Sequence, residues 1–117
     1  MVIKVIKDRI SLEEAKQIAT EFYGRMVKGV VDIEQEIVAL GGEYHMDANV
    51  VLLEQGSNQQ NVWGFNVHLY NDKNSDDWIE YTSLINIRPN QDNRSMIIEN
   101  DELKAKIRKI LEKIIYE

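Results

Sequence analysis

Apolar and polar positions alternate over residues 2–6, Val-Ile-Lys-Val-Ile, and predict a short opening strand. Ser11-Leu12-Glu13-Glu14 has the form of a capping box, in which the serine oxygen accepts from the amide three residues on and Glu14 reaches back. Leu12, Ala15, Ile18, Ala19, Phe22 and Met26 follow at spacings of three and four. Residues 12–26 are therefore read as an amphipathic helix across a sheet, with Gly24 at its fraying end. Over 27–40 the pattern serves two elements. Val30, Ile33, Ile37 and Leu40 suit a helix; Val31, Ile33, Ile37 and Ala39 suit one face of a strand, with Asp32, Glu34 and Glu36 on the other. The strand is preferred, because β-branched pairs favour pleated surfaces and Gly29 would weaken a helix. Gly41-Gly42 ends the element either way.

Residues 43–49 read as a polar connector and Val50-Val51-Leu52-Leu53 as a buried strand. A turn-rich loop, 56–61, leads into 62–70, where Trp63, Phe65, Val67 and Leu69 take one face and Gly64, Asn66 and His68 the other. After an acidic loop at 71–77, residues 78–88 form the next expected strand. Pro89 stops it, since proline cannot donate to a ladder, and the polar run Asn90 to Ser95 follows. Asn100 or Asp101 caps a last helix with Leu103, Ile107, Ile110, Leu111, Ile114 and Ile115 in one stripe. The stripe suits core packing, with an oligomer contact as the alternative. The expected fold is α+β: an antiparallel sheet of four or five strands, in the order β-α-β-β-β-β-α, with the N- and C-terminal helices on one face. No linker or repeat divides residues 1–117, so one domain is expected.

Charge narrows the choice of partners. Residues 29–87 hold ten acids and one base, Lys73, within a chain of net charge −6. Such a surface repels phosphate backbones, which makes nucleic acid a poor partner. The chain has no cysteine, and so no disulfide or thiol chemistry. No apolar run approaches the ~18 residues of a membrane helix. The first residues lack a signal-like apolar core. A cytoplasmic protein is expected.

Several polar strings occur in a fixed order: Val-Val-Asp-Ile-Glu (30–34), Gly-Gly-Glu-Tyr-His-Met-Asp (41–47), Leu-Leu-Glu-Gln-Gly-Ser (52–57), Asn-Val-Trp-Gly (61–64) and Ile-Asn-Ile-Arg-Pro-Asn-Gln-Asp-Asn-Arg-Ser (85–95). In these the chain resembles a small bacterial and archaeal family catalogued as domain of unknown function 5674. The last string is the most distinctive, and the resemblance runs from about residue 27 to the last helix. It implies a strand over 30–40 and no particular activity. Where such chains carry Asp-Pro before the final helix, this one has Asn100-Asp101, and either supplies a cap.

Five groups of residues are candidates for chemistry. Arg88, Asn93, Arg94 and Ser95 could form an anion pocket, since guanidinium forks suit carboxylate or phosphate; the structural alternative, which we prefer, pairs the arginines with acids of the sheet. His45 and Asp47, with Asp32, Glu34 or Glu54, could hold a divalent metal. Against this, no recognised metal-binding spacing is present, and a capped polar turn explains the pair as well. Glu54 and Glu80 could act as an acid–base pair only in a dry pocket. Ser57 and Ser95 lack the Gly-x-Ser-x-Gly setting of a nucleophile. Trp63, Phe65, Tyr70, Trp78 and Tyr81 could stack on bases, but core packing suits them better. No cofactor is expected. The leading expectation is a non-enzymatic binding module, or homodimer, whose ligand face lies at the 88–95 loop near 43–47 and takes a small anion or a protein. The alternatives are a metal-assisted hydrolase and an antitoxin-like or immunity-like protein capping a basic partner.

Overall fold

In the computed structural model, which describes residues 1–117, the opening alternation forms strand β1 (Ile3–Ile6), followed by a two-residue strand β2 (Ile10–Ser11). Helix α1 (Leu12–Ala19) starts as expected, with the Ser11 side chain accepting from Glu14 N–H at 3.1 Å. It stops seven residues short of Met26: a turn with Gly24 at φ 79° leads into β3 (Met26–Asp32). The ambiguous stretch is a hairpin of β3 and β4 (Ile37–Gly41). Asp32 makes its turn, accepting from Glu34 N–H at 2.9 Å and Gln35 N–H at 3.0 Å. This is the local side-chain bonding that lets aspartate replace a strand by a turn.

The connector and strand expected over 43–53 are instead one helix, α2 (His45–Glu54). Asp47 drives the change, because its carboxylate accepts from Glu43 N–H at 3.1 Å and Tyr44 N–H at 2.9 Å and so caps the first turn. Ala48 and Leu52, a turn apart, are then buried on the sheet, and the β-branched pair Val50-Val51 is carried along. Strand β5 (Val62–His68) forms as expected, but the strand expected over 78–88 is cut to β6 (Ile79–Glu80). Helix α3 (Asp101–Ile114), capped by Asn100, runs into β7 (Ile115–Tyr116).

The main sheet is antiparallel throughout, in the order β1-β4-β3-β5-β6, and β2 pairs with β7 in parallel. The expected α+β class and five-stranded antiparallel sheet are present, and α1 and α3 share one face. There Ala15, Ile18, Ile107, Ile110, Leu111 and Ile114 pack with Val27, Val31, Leu40, Trp63, Phe65 and Val67. Gly29 belongs to this layer: a Cβ there would collide with the Phe65 ring, so the aromatic lies directly over the glycine. The opposite face carries a smaller cluster, Val30, Ile37, Ala39 and Val62 beneath Ala48 and Leu52 of α2. The molecule thus has three layers where two were expected.

Candidate functional site

Helix α2 covers only part of its sheet face, and the uncovered part is polar. Register places Lys28 of β3 opposite Asn66 of β5, and Asn66 opposite Glu80 of β6, so the three form a row across three strands. His68 flanks the row, two residues along β5 and on the same face as Asn66. His45, in the first turn of α2, reaches the sheet and donates from Nε2 to the Phe65 carbonyl at 2.8 Å. Residues 81–97 stand opposite α2. They approach closely because residue 64 is glycine: a Cβ there would lie 2.6 Å from Ser83 Cβ. Asn86, fully buried, locks them down by accepting from Gly64 N–H at 2.8 Å and donating to Gly64 O at 3.0 Å.

Between these walls lies a cavity of about 360 Å³. Lys28, His45, Asn66, Thr82 and Ser83 supply its polar lining, and Tyr44, Met46, Leu84, Ile85 and Met96 its apolar one. A second lobe, sharing Met46, Leu84 and Ile85, runs on to Arg88, Asn90 and Gln91. The segments around 43–47 and 85–91 therefore face each other across one cleft. Its rim is apolar and exposed: Tyr44, Met46, Leu84, Ile87 and Met96 each have more than a third of their surface in water. Apolar walls with few polar groups are the usual makeup of a small-ligand site.

The polar groups are strongly biased. Glu80 accepts from His68 Nε2 at 2.9 Å and from Asn66 Nδ2 at 3.3 Å. The His68 bond above all holds its carboxyl below the usual range. Burial pushes the His45 imidazole down, and Lys28 adds to this; the Phe65 carbonyl, Asn66 and Glu80 work the other way, and the net effect favours the neutral ring. Because Nε2–H serves Phe65, the neutral ring keeps an acceptor at Nδ1. Lys28 makes no ion pair; its ammonium lies over the Tyr23 ring, 5.1 Å from the centroid. Asn66 is 7% exposed; the His45 ring lies close enough for the amide to favour its protonated form, but Oδ1 receives no hydrogen bond of proper geometry.

The residues singled out from sequence are dispersed. Arg88 is buried and turned inward: it donates to the carbonyls of Ile85, Gln59 and Val62 and to Gln91 Oε1, and it lies over Trp63. Its expected carboxylate partners are absent, and main-chain oxygens take their place. Asn93 donates to the carbonyls of Asn86, Ser95 and Ile97 and accepts from Glu99 N–H. Ser95 bonds Ile97, and Arg94 is exposed. Asp47 caps α2. Asp32 is held below its usual pKa: burial alone would raise it, but bonds from Ser57, Gln35 and Glu34 outweigh that. Glu54 is exposed at the far end of α2. No group of three or more His, Asp or Glu side chains is placed to hold a metal ion. Trp63, Phe65 and Trp78 are buried, whereas Tyr70 is exposed beneath Lys16 and Arg25.

Lys28, Asn66 and Ser83 were not among those candidates. A signal for Asn66 and His68 was present: the polar face of β5 carries an amide and an imidazole rather than the long charged side chains of a solvated strand.

Fold and cleft together define a small α+β protein with a ligand-sized cavity on the half-covered face of its sheet. The chain matches, over residues 4–114, the family described as Protein of unknown function (DUF5674), and it belongs to that family. No curated protein and no solved structure matches it.

Proposed function

We propose that this protein is a binding module that holds a small ligand in the cleft between the start of α2, the Lys28–Asn66–Glu80 row and residues 81–97. One observation carries the reading: the buried Asn66 Oδ1, without a partner, in the lining of a cavity of about 360 Å³. Glu80 accepts from Asn66 Nδ2, and a carboxylate can only accept, so the amide cannot turn to hide its oxygen. An unmet buried acceptor costs ~1–3 kcal/mol, so a donor from a bound molecule is favoured there. A ligand that donates to it removes that cost. The metal-assisted alternative has no support in the placement of His45, Asp47, Asp32 and Glu54.

The four methionines give a direct assay. With labelled methionine methyls, neutral apolar fragments bearing an N–H or O–H donor should shift Met46 and Met96, which line the cleft, and leave Met1 unmoved. A fragment panel that leaves Met46 and Met96 where they are would remove this reading.

A further inference from the structure

Building on that reading of the cleft, we propose that its ligand is an apolar α-amino acid, bound by its carboxylate at Lys28, by its ammonium at Asn66, and by its side chain against Tyr44, Met46, Leu84 and Met96. The groups in the cleft ask for three different things. Lys28 is a cation with no acidic partner, so it asks for an anion. Asn66 Oδ1 is an acceptor with no donor. The neutral His45 ring also has only an acceptor to offer, because its Nε2–H is used on Phe65. Behind Asn66 stands the Glu80 carboxylate, ionised and bonded to the same amide.

A hydroxyl has one hydrogen to donate, whereas an ammonium has three and a charge that Glu80 complements. The acceptor side therefore fits an amine better than an alcohol. Neighbouring strands lie ~4.8 Å apart, so Lys28 and Glu80 are rooted about two strand spacings from each other with Asn66 between them. A short zwitterion laid along that row meets the cation at one end and the acceptors at the other. The remaining lining is apolar, and a leucine- or methionine-sized side chain buries against it.

The same methyl spectra test the proposal on the full chain, with L-leucine and L-methionine as probes. Both should shift Met46 and Met96 saturably. Isocaproate, which lacks the amine, leaves Asn66 Oδ1 unmet and should bind at least about tenfold more weakly. α-Hydroxyisocaproate should fall between, and leucine methyl ester and glycine should each be weaker than leucine. Lys28→Met should bring the ester and the free acid to equal affinity. Glu80→Gln, at an exposed position, should weaken leucine and spare isocaproate; it serves if Lys28→Met does not fold. Isocaproate binding as tightly as leucine would overturn the proposal. So would amino acids leaving the methyls unmoved while neutral fragments shift them, and in that case the cleft itself would still stand as a binding site. If neither amino acids nor fragments move the methyls, both readings fall.

Discussion

Replacing Arg88 with alanine separates a structural pin from a free binding group. The side chain is 8% exposed. It donates to Ile85 O at 3.0 Å, Gln59 O at 2.9 Å and Gln91 Oε1 at 3.2 Å, and also to Val62 O. Its guanidinium sits 4.2 Å from the Trp63 ring centroid. Alanine removes these bonds and leaves three main-chain carbonyls to find other partners. At a net ~1.5 kcal/mol for each of the three main-chain bonds to the charged group and ~1 kcal/mol for the stacked cation, the gross loss is about 5.5 kcal/mol. Burial of an unpaired charge works against the wild type, and burial lowers the Arg88 pKa. Relief of that penalty returns roughly 2–3 kcal/mol, leaving an expected net loss of about 3 kcal/mol. That is a large share of a typical roughly 5–15 kcal/mol. Arg88→Lys keeps the charge but cannot span the same acceptors, and it should recover less than half. Urea unfolding followed by fluorescence measures both variants. A midpoint shift worth less than about 1 kcal/mol for Arg88→Ala, at unchanged slope, would refute the structural role. Arg94→Ala, at an exposed position, should stay within about 0.5 kcal/mol of wild type.

Three further outcomes are expected. Gly64→Ala places a methyl 2.6 Å from Ser83 Cβ; it should cost ~1–3 kcal/mol in urea and broaden the Met96 methyl signal as residues 81–97 are pushed outward. His45 has a folded pKa below its usual 6.5, so the unfolded chain binds the extra proton first. Stability should therefore be full above about that pH and fall as pH drops through the region just below it, and the slope should shrink in His45→Gln. A midpoint that is flat across that window in the wild type would contradict the buried neutral ring. Ser57→Ala removes the 2.6 Å hydrogen bond to Asp32. It should raise the Asp32 pKa, read by carboxyl NMR titration, and cost ~1.5–3 kcal/mol at neutral pH, with the difference from wild type fading as Asp32 protonates in acid.

What could be read from the residues follows from the range of the forces that set each element. The α1 start, the α3 stripe and β5 rest on local periodicity and caps, and they form as the pattern predicts. The hairpin within 27–40 was half-readable: β-branched residues signalled strand, but its turn depends on Asp32 bonding two amides and on Glu36 at φ 56°. Helix α2 departs from its pattern because Val50 to Leu53 has the composition of a buried strand, and the Asp47 bonds to Glu43 N–H and Tyr44 N–H select the helix. The site was harder still. Lys28, Asn66 and Glu80 lie on three strands, and only the register brings them into one row. Polar loop residues such as Arg88 and Asn93 often bind ligands, yet here Asn93 spends its donors within the loop and Arg88 spends its own on Ile85, Gln91 and the Gln59 and Val62 carbonyls at the edge of β5.

The cleft exists because side chains, not backbone, complete the edge of β5. Alternate residues of that strand meet partners in turn: Asn66 faces Glu80 of β6, Gly64 is bonded by the Asn86 amide, and Val62 by the Arg88 guanidinium. A backbone partner in those last two places would lie in the plane of the sheet. A side chain reaches the same groups from further away, so residues 81–97 can rise over the α2 face and become a wall. The edge is then satisfied without a long sixth strand, and without the open ladder that invites pairing with other chains. This explains why the segment reads as a strand in its apolar pattern yet carries Asn86 and Arg88, two residues that a regular strand at this edge would not need. It also ties stability to the cleft. A substitution at Asn86 or Arg88 loosens the wall as well as the sheet, so the cavity should lose its shape before the rest of the molecule unfolds.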